Sequence, residues 1–289
     1  MSKKNLTSKM LTVKMLTMVI LVSGFFYACN PEKKLAKQFV YQSGKRNVLV
    51  FTPEFIYKTN QKTWLLDSLK GTFTEEQKDS LLWEMSKYIK NINDSIFIKK
   101  FSRGFFYQLA KYGFNVYDQD AIDLFMKNDS SSYLINIPQI ELDETIYPYK
   151  DKTVINGYTY FHQHYLNALD LSTWFEISKI NDSTINKEVM FASDIITDDL
   201  NGSFDYDEEK DQLKYYYNID TLTINQVYNL AIELGKRYAG YTYDYLLNKY
   251  ILAHKQPGDT LQYYWHYNLN YNKLYPVWDE EDKLIPVDK

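Results

Sequence analysis

From Leu169 to Ser178 the chain alternates without a break: Leu169, Leu171, Thr173, Phe175 and Ile177 are separated by Asp170, Ser172, Trp174, Glu176 and Ser178. A strict period of two means a strand with one face on a core and the other toward water. The sequence downstream supplies partners for it. Past the turn-forming Asn181-Asp182-Ser183-Thr184, residues Val189, Phe191 and Ile195 fall on one face of a second strand. Asn201-Gly202 is a strong hairpin signal and leads to Leu213, Tyr215, Tyr217 and Ile219. These segments predict an antiparallel meander added to a sheet.

Upstream the period changes. Asn47-Val48-Leu49-Val50-Phe51 is a short apolar run stopped by Thr52-Pro53, as suits a strand buried on both faces. Thr74-Glu75-Glu76-Gln77 forms a capping box, after which Leu81, Leu82, Met85, Tyr88, Ile89 and Ile92 repeat at helical spacing. Asp94 is placed to cap the next helix, whose stripe is Phe97, Phe101, Phe105, Leu109 and Tyr112; Gly113 then stands where a left-handed residue ends it. Phe114–Tyr117 and Tyr133–Ile137 read as strands on either side of a short helix from Asp120 to Met126. Pro138 denies the later strand a ladder bond and predicts an edge or a bulge there. Strands alternating with helices predict an α/β unit.

A second capping box, Thr223-Ile224-Asn225-Gln226, opens the longest helix, from about Ile224 to Ile251, striped with Val227, Leu230, Ala231, Leu234, Tyr238, Tyr241 and Tyr245. Gly235 and Gly240 inside it cost about 1 kcal/mol each relative to alanine, tolerable where another element must come close. After the turn Gln256-Pro257-Gly258-Asp259, the segment from Leu261 to Tyr267 reads as a final strand, followed by a proline-punctuated acidic tail. No repeat or linker interrupts residues 47–289, which are expected to form a single globular domain. The expected class is α/β to α+β: a mixed sheet with an N-terminal α/β unit, the antiparallel meander, and the long C-terminal helix packed on the sheet.

The chain has one cysteine, Cys29. Lys3, Lys4, Lys9 and Lys14 precede an apolar stretch from Leu16 to Phe26 that is too short to span a bilayer. Phe25-Phe26-Tyr27-Ala28-Cys29 closes it, and a small residue before cysteine at such a place resembles a bacterial lipobox. The resemblance implies that residues 1–28 are a lipoprotein signal peptide and that Cys29 carries palmitate-type acyl chains. Residues 29–46, lysine-rich and without a strong period, then read as a lipidated tether. Two or three chains at about 0.8 kcal/mol per buried methylene hold a protein on a membrane stably. No other thiol remains, so there is neither a disulfide framework nor a cysteine nucleophile. Cleavage also takes four lysines from 33 basic against 37 acidic groups, moving the formal charge from −4 to −8. That balance argues against nucleic acid as a partner and gives no general attraction to anionic lipid.

Catalytic signatures are missing: there is no GxSxG, HExxH, CxxC, GxGxxG or P-loop. With 10 glycines in all, a phosphate-cradling loop has little to be built from. His162 and His164 share one face of an expected strand, but a metal site needs a third ligand, and His254 and His266 are distant in sequence. Thr197–Glu208 sets Asp199, Asn201, Gly202, Asp205 and Glu208 at EF-hand positions; an acidic-edged hairpin accounts for the same residues, and the first position is threonine. Glu141, Asp143 and Glu144 cluster after Pro138, where an exposed acidic face is commoner than an acid–base pair. No cofactor and no metal are expected.

The aromatic content is the departure from the ordinary, with 28 tyrosines, 16 phenylalanines and 5 tryptophans. Tyrosine offers large apolar contact with a polar tip and suits protein interfaces and sugar platforms. Trp174, Tyr264, Trp265 and Tyr267 are the candidate aromatic binding surface. A bias that fills core and helix stripes with tyrosine would produce the same runs.

Four segments carry a wider likeness: Val48-Leu49-Val50-Phe51-Thr52-Pro53-Glu54, Asn93-Asp94-Ser95-Ile96-Phe97, Leu171-Ser172-Thr173-Trp174-Phe175-Glu176 and Leu246-Leu247-Asn248-Lys249-Tyr250-Ile251. Through them the chain resembles an uncharacterised group of outer-membrane lipoproteins from Bacteroidetes (Bacteroidales). Asp-Ser/Thr followed by an apolar residue or threonine, as at Asp67-Ser68-Leu69 and Asp94-Ser95-Ile96, is similar to the O-glycosylation signal of that phylum. The resemblance implies an outer-membrane location. Asn30-Pro31-Glu32-Lys33-Lys34 lacks the acidic run of surface-exposed members, which favours the periplasmic face. The expected role is a non-catalytic accessory or binding component of envelope assembly or transport, with envelope proteins as partners. The alternative is a glycan-binding or glycan-processing lipoprotein, and a third reading is a hydrolase using unrecognised carboxylates.

Overall fold

The apolar run of the N-terminal α/β unit forms β1 (Asn47–Phe51), and four of its five residues are buried. The computed structural model describes residues 31–42, 44, 46–69, 71–127, 132–180, 187–208, 212–277 and 283–287. Cys29 and the turn expected at 181–184 lie outside them. The chain gathers into two compact units, Gly44–Tyr243 with Asp282–Lys289, and Met1–Ser43 with Asp244–Glu281. Among the described residues no helix is long and apolar enough to cross a membrane.

In the larger unit β1 lies parallel to β3 (Asn115–Asp118) and to β4 (Ser132–Ile155). The short β2 (Tyr57–Asn60) runs parallel to β4 further along. Antiparallel strands β5 (Tyr158–Ile180) and β6 (Glu188–Thr197) extend the sheet, and β11 (Ile285–Pro286) closes its edge. This is the expected mixed sheet, with a bulge where Pro138 interrupts the β4–β5 register between Asn136 and Gln139. One detail differs from expectation. Among the described residues β7 (Asp199–Asp207) and β8 (Gln212–Asp220) pair only with each other and form a separate ribbon. On β6 the buried set Met190, Ala192 and Ile196 lies on one face, and Val189, Phe191 and Ile195 share the opposite one as expected. There Phe191 meets the ring of Trp174, centroids 5.0 Å apart.

The helices follow their signals with small shifts. Thr74 and Gln77 make the reciprocal capping box of α2 (Glu75–Glu84), but the helix stops at Glu84 and a bend and a tight turn carry Tyr88, Ile89 and Ile92 into the core. Asn93, not Asp94, caps α3 (Asp94–Lys111); its side chain accepts the Ile96 N–H, which leaves Asp94 to pair with Lys58 at 2.6 Å. Phe97, Phe101, Phe105 and Leu109 are fully buried, and Gly113 is left-handed at φ 87°. The short α4 (Ile122–Met126) follows β3. The long helix α5 (Ile224–Ala253) packs on the sheet beside α3: Tyr238 meets Phe101 and Phe175 edge-on, at 6.0 and 5.9 Å. Glycines set how closely the two helices cross. A Cβ on Gly104 would stand 2.1 Å from the Ile232 carbonyl oxygen, and one on Gly235 2.1 Å from that of Phe101.

The smaller unit contains α1 (Pro31–Tyr41), the end of α5, and the antiparallel pair β9 (Tyr264–Asn268) and β10 (Lys273–Val277). Part of the segment expected as a tether is therefore a helix, with Glu32, Ala36 and Phe39 buried and Phe39 against Tyr250 at 5.4 Å. Asn248 replaces a strand partner for Trp265: its amide nitrogen donates to the Trp265 carbonyl and its oxygen accepts the Trp265 N–H, both at 2.8 Å.

Candidate functional site

β4 and β5 outrun the sheet. Among the described residues, lateral partners end at Glu144 on β4 and Ala168 on β5, and ten paired positions from Ile146↔Asn167 to Ile155↔Tyr158 continue with no described strand beside them. At about 3.4 Å per residue this is an arm roughly 34 Å long. Its tip is Asn156-Gly157, both left-handed at φ 52° and 80°, the geometry of a two-residue hairpin turn. Sequence reasoning placed the hairpin at Asn201-Gly202 instead. Those residues lie inside β7, where a Cβ on Gly202 would come within 2.6 Å of the Tyr215 hydroxyl. The glycine admits a ring, not a turn, and the EF-hand reading falls with it, because Asp199, Asn201 and Asp205 are strand residues.

The β7–β8 ribbon packs on one face of the arm. His162 stacks on Tyr215 with centroids 3.9 Å apart and 14° between planes, and Tyr217 touches both His162 and His164. The Tyr215 hydroxyl donates to Asp151 at 3.0 Å; burial, together with hydrogen bonds to Tyr149 and Asp151, holds that phenol above the ordinary tyrosine range. The two histidines do share a face, in a stack of rings. Among the described residues no group of three His, Cys, Asp or Glu is arranged to hold a metal ion.

Opposite residues in an antiparallel pair share a face. The pairs Lys152↔Phe161, Pro148↔Tyr165 and Val154↔Thr159 therefore make up the arm's other face. Phe161 is 74% exposed, Val154 64% and Tyr165 58%. This mixed aromatic and basic strip is the candidate site. Its residues stood in the sequence among many other tyrosines; the signal that would have found it is Asn156-Gly157 between two long alternating segments.

At the arm's base a polar network ties four segments together. The fully buried Glu144 pairs with Lys62 at 2.6 Å and accepts N–H bonds from Lys87 and Tyr88 at 2.7 Å and from Ile89 at 3.2 Å. Lys62 also donates to Asn167, and Asn167 to Asp198. Asp198 further accepts from the Tyr88 hydroxyl and the Leu222 N–H. Burial alone would raise both carboxyls. The Lys62 ammonium and backbone N–H groups hold Glu144 below the usual range instead, and Tyr88, Asn167 and Leu222 do the same for Asp198. Every group is satisfied, so the network reads as a lock on the arm.

The remaining sequence candidates scatter. Glu144 belongs to that lock, while Asp143 lies opposite Asp170. Burial and the nearby Glu141 and Asp170 raise Asp143, and burial with Asp194 raises Asp170. Trp174 is half-buried against Phe191. Trp265 is 3% exposed and Tyr267 8%, so they are not at a surface. The indole N–H of Trp265 donates to Glu32 at 3.1 Å, and the Tyr267 N–H to Asp244 at 3.0 Å. Half-buried Tyr264 follows the same strand. One pair that sequence reasoning missed resembles an acid–base arrangement: Asp244, 1% exposed, meets Nδ1 of His266 at 2.5 Å. Burial raises the Asp244 carboxyl against the favourable contacts of His266 and the Tyr267 N–H.

The chain matches no protein-family model, and no curated protein is similar to it.

Proposed function

We propose that this is an exported lipoprotein, held by acylated Cys29 on the periplasmic face of the outer membrane, that works without catalysis as a binding component of envelope assembly or transport. The arm grips a protein partner through the face around Phe161 and Tyr165. The observation that carries this reading is the exposure of Phe161, Val154 and Tyr165 on one face of an arm whose other face is covered around His162 and His164. Monomers seldom leave clustered apolar side chains in water without a partner for them, and aromatics dominate interface energetics. The glycan alternative retains Trp174 and half-buried Tyr264 but loses buried Trp265 and Tyr267.

Two measurements test the two halves. Labelling growing cells with an alkyne fatty acid marks the native chain and leaves Cys29→Ser unmarked; an unmarked native chain removes the anchor. A photocrosslinker at position 161 captures one defined envelope protein, and Tyr165→Ala with Val154→Ser abolishes that product. Capture that is unchanged by these substitutions removes the arm as the binding element.

A further inference from the structure

The larger unit carries a cleft that needs neither the arm nor the anchor. We propose that it binds a small zwitterion, an amino acid or a short peptide with a free amine and a free carboxylate. The cleft, about 520 Å³, opens at the carboxyl ends of β1 and β3 and is walled by α3. Small-ligand sites measure roughly 300–1,000 Å³. All of α3 and both segments that leave the two strands, 52–69 and 119–127, are among the described residues.

Topology puts a ligand site here. β1 and β3 are parallel neighbours, and their last register pair is Val50↔Asp118. The chain passes from β1 through α3 to β3 on one side, then from β3 through α4 to β4 on the other side of β1. The two connections leave by opposite faces. Val50 shares a face with Ile135, Ile177 and hence Phe175, on which Phe105 of α3 stacks. Tyr117, next to Asp118, takes the other face and meets Phe125 of α4. Adjacent parallel strands whose connections part in this way leave a crevice beyond their carboxyl ends, where open α/β sheets hold their ligands.

Segregated charge gives the ligand its class. Lys99 and Arg103 stand one turn apart on α3, whereas Glu54, Asp118 and Asp120 stand at the ends of β1 and β3. Among the described residues no ion pair joins the two sets. Oδ1 of Asp118 accepts the Ala121 N–H at 3.1 Å, which orients this carboxylate without a cation. A neutral polyol would not call for such a separation, and a phosphate would meet three carboxylates. A ligand with an ammonium at one end and a carboxylate at the other answers both walls, its carboxylate on Lys99 and Arg103. Ile98 and Phe106 offer apolar contact to its side chain.

The test is titration calorimetry on the purified full chain with leucine, phenylalanine and leucyl-leucine, each also as its N-acetyl derivative and as its carboxamide. At least one free zwitterion should bind, and blocking either end should weaken it about five- to ten-fold, the worth of a charged contact at an exposed site. Lys99→Gln with Arg103→Gln should bind the free form and the carboxamide equally. Asp118→Asn with Asp120→Asn, which keeps an acceptor for the Ala121 N–H, should bind the free form and the acetyl derivative equally. All four side chains are exposed, so unchanged urea midpoints verify that both variants fold. Tighter binding of leucyl-leucine than of leucine supports the proposal with a peptide end as the ligand, and the reverse supports it with a free amino acid. Failure of all three zwitterions to bind, blocked forms as tight as free ones, or end selectivity that survives both double variants overturns it. Displacement of the bound zwitterion by an equal concentration of glucose also overturns it and makes the cleft a polyol site.

Discussion

Gly104→Ala is the sharpest probe of the core that carries the arm. On an exposed helix the change would stabilise by about 1 kcal/mol. Here the new methyl would meet the Ile232 carbonyl oxygen at 2.1 Å, while ordinary contact begins near 3.4 Å, so α3 and α5 must part by as much as roughly 1.3 Å. A gap of 0.5–1 Å already forfeits about a quarter to a half of the dispersion well at each contact it opens. The contacts at risk are Phe101 and Phe105 against Tyr238 and Phe175. Overpacking of this kind costs about 3 kcal/mol, which leaves a net loss of roughly 2 kcal/mol after the propensity gain. Gly235→Ala should cost a similar amount, because its methyl meets the Phe101 carbonyl across the same crossing. The double variant should lose less than the sum, since the first substitution has already separated the helices. Urea unfolding reads this as a lower midpoint at unchanged slope. A Gly104→Ala chain as stable as the parent, or a double variant with additive losses, would refute the close crossing.

Four other expectations follow from the structure. Glu144→Gln removes one partner of a buried ion pair and should destabilise by about 3–5 kcal/mol. The lowered values of Glu144 and Asp198 mean that their contribution is complete above the unfolded carboxylate range and is lost as pH falls through the folded values, so urea midpoints should drop from about pH 4 downward, and less in Glu144→Gln. Asp170 has the opposite sign: its carboxyl is raised and Oδ1 has no hydrogen-bond partner, so Asp170→Asn should raise the melting temperature at pH 7, and a fall would show that the charge is compensated. Tyr215→Ala should speed amide exchange in the arm and leave β1 and the inner part of β4 unchanged; equal acceleration in both would mean that the ribbon does not brace the arm separately.

Local signals were legible where one segment decides its own state. Both capping boxes formed, and Gly113 ended its helix. The signals failed where a distant partner decides. Asn201-Gly202 and Asn156-Gly157 are identical dipeptides, and only the ring of Tyr215 across the ribbon explains why the first is not a turn. β6 bears apolar residues on both faces, so period two alone could not choose the buried one; Trp174 opposite Phe191 did. The segment of α1 reads as a tether because it is lysine-rich and lacks a strong period; one of its buried positions is Glu32, whose partners Lys255 and Trp265 lie more than two hundred residues away. The same separation hid the burial of Trp265, whose neighbours in sequence are tyrosines. Pro31 at the first helical position and the spacing of Ala36 and Phe39 were the signals available.

The arm and the lock at its base belong to one arrangement. A two-stranded ribbon is marginal alone. Covering one face with β7–β8 supplies a second layer, while Glu144 and Asp198 fix the place where arm and ribbon part. The outer face is thereby released from any duty in folding, which is why Phe161 can stay 74% exposed. Its size then limits how the proposed partner would bind. Two strands about 4.8 Å apart and roughly 34 Å long offer a strip on the order of 350 Å², well below the roughly 800 Å² per partner of a stable complex. A partner that touched the outer face alone would come and go quickly. One that stays must also engage the edges of β4 and β5 beyond Glu144 and Ala168, which no described strand covers, adding a strand by main-chain hydrogen bonds while Phe161 and Tyr165 anchor it.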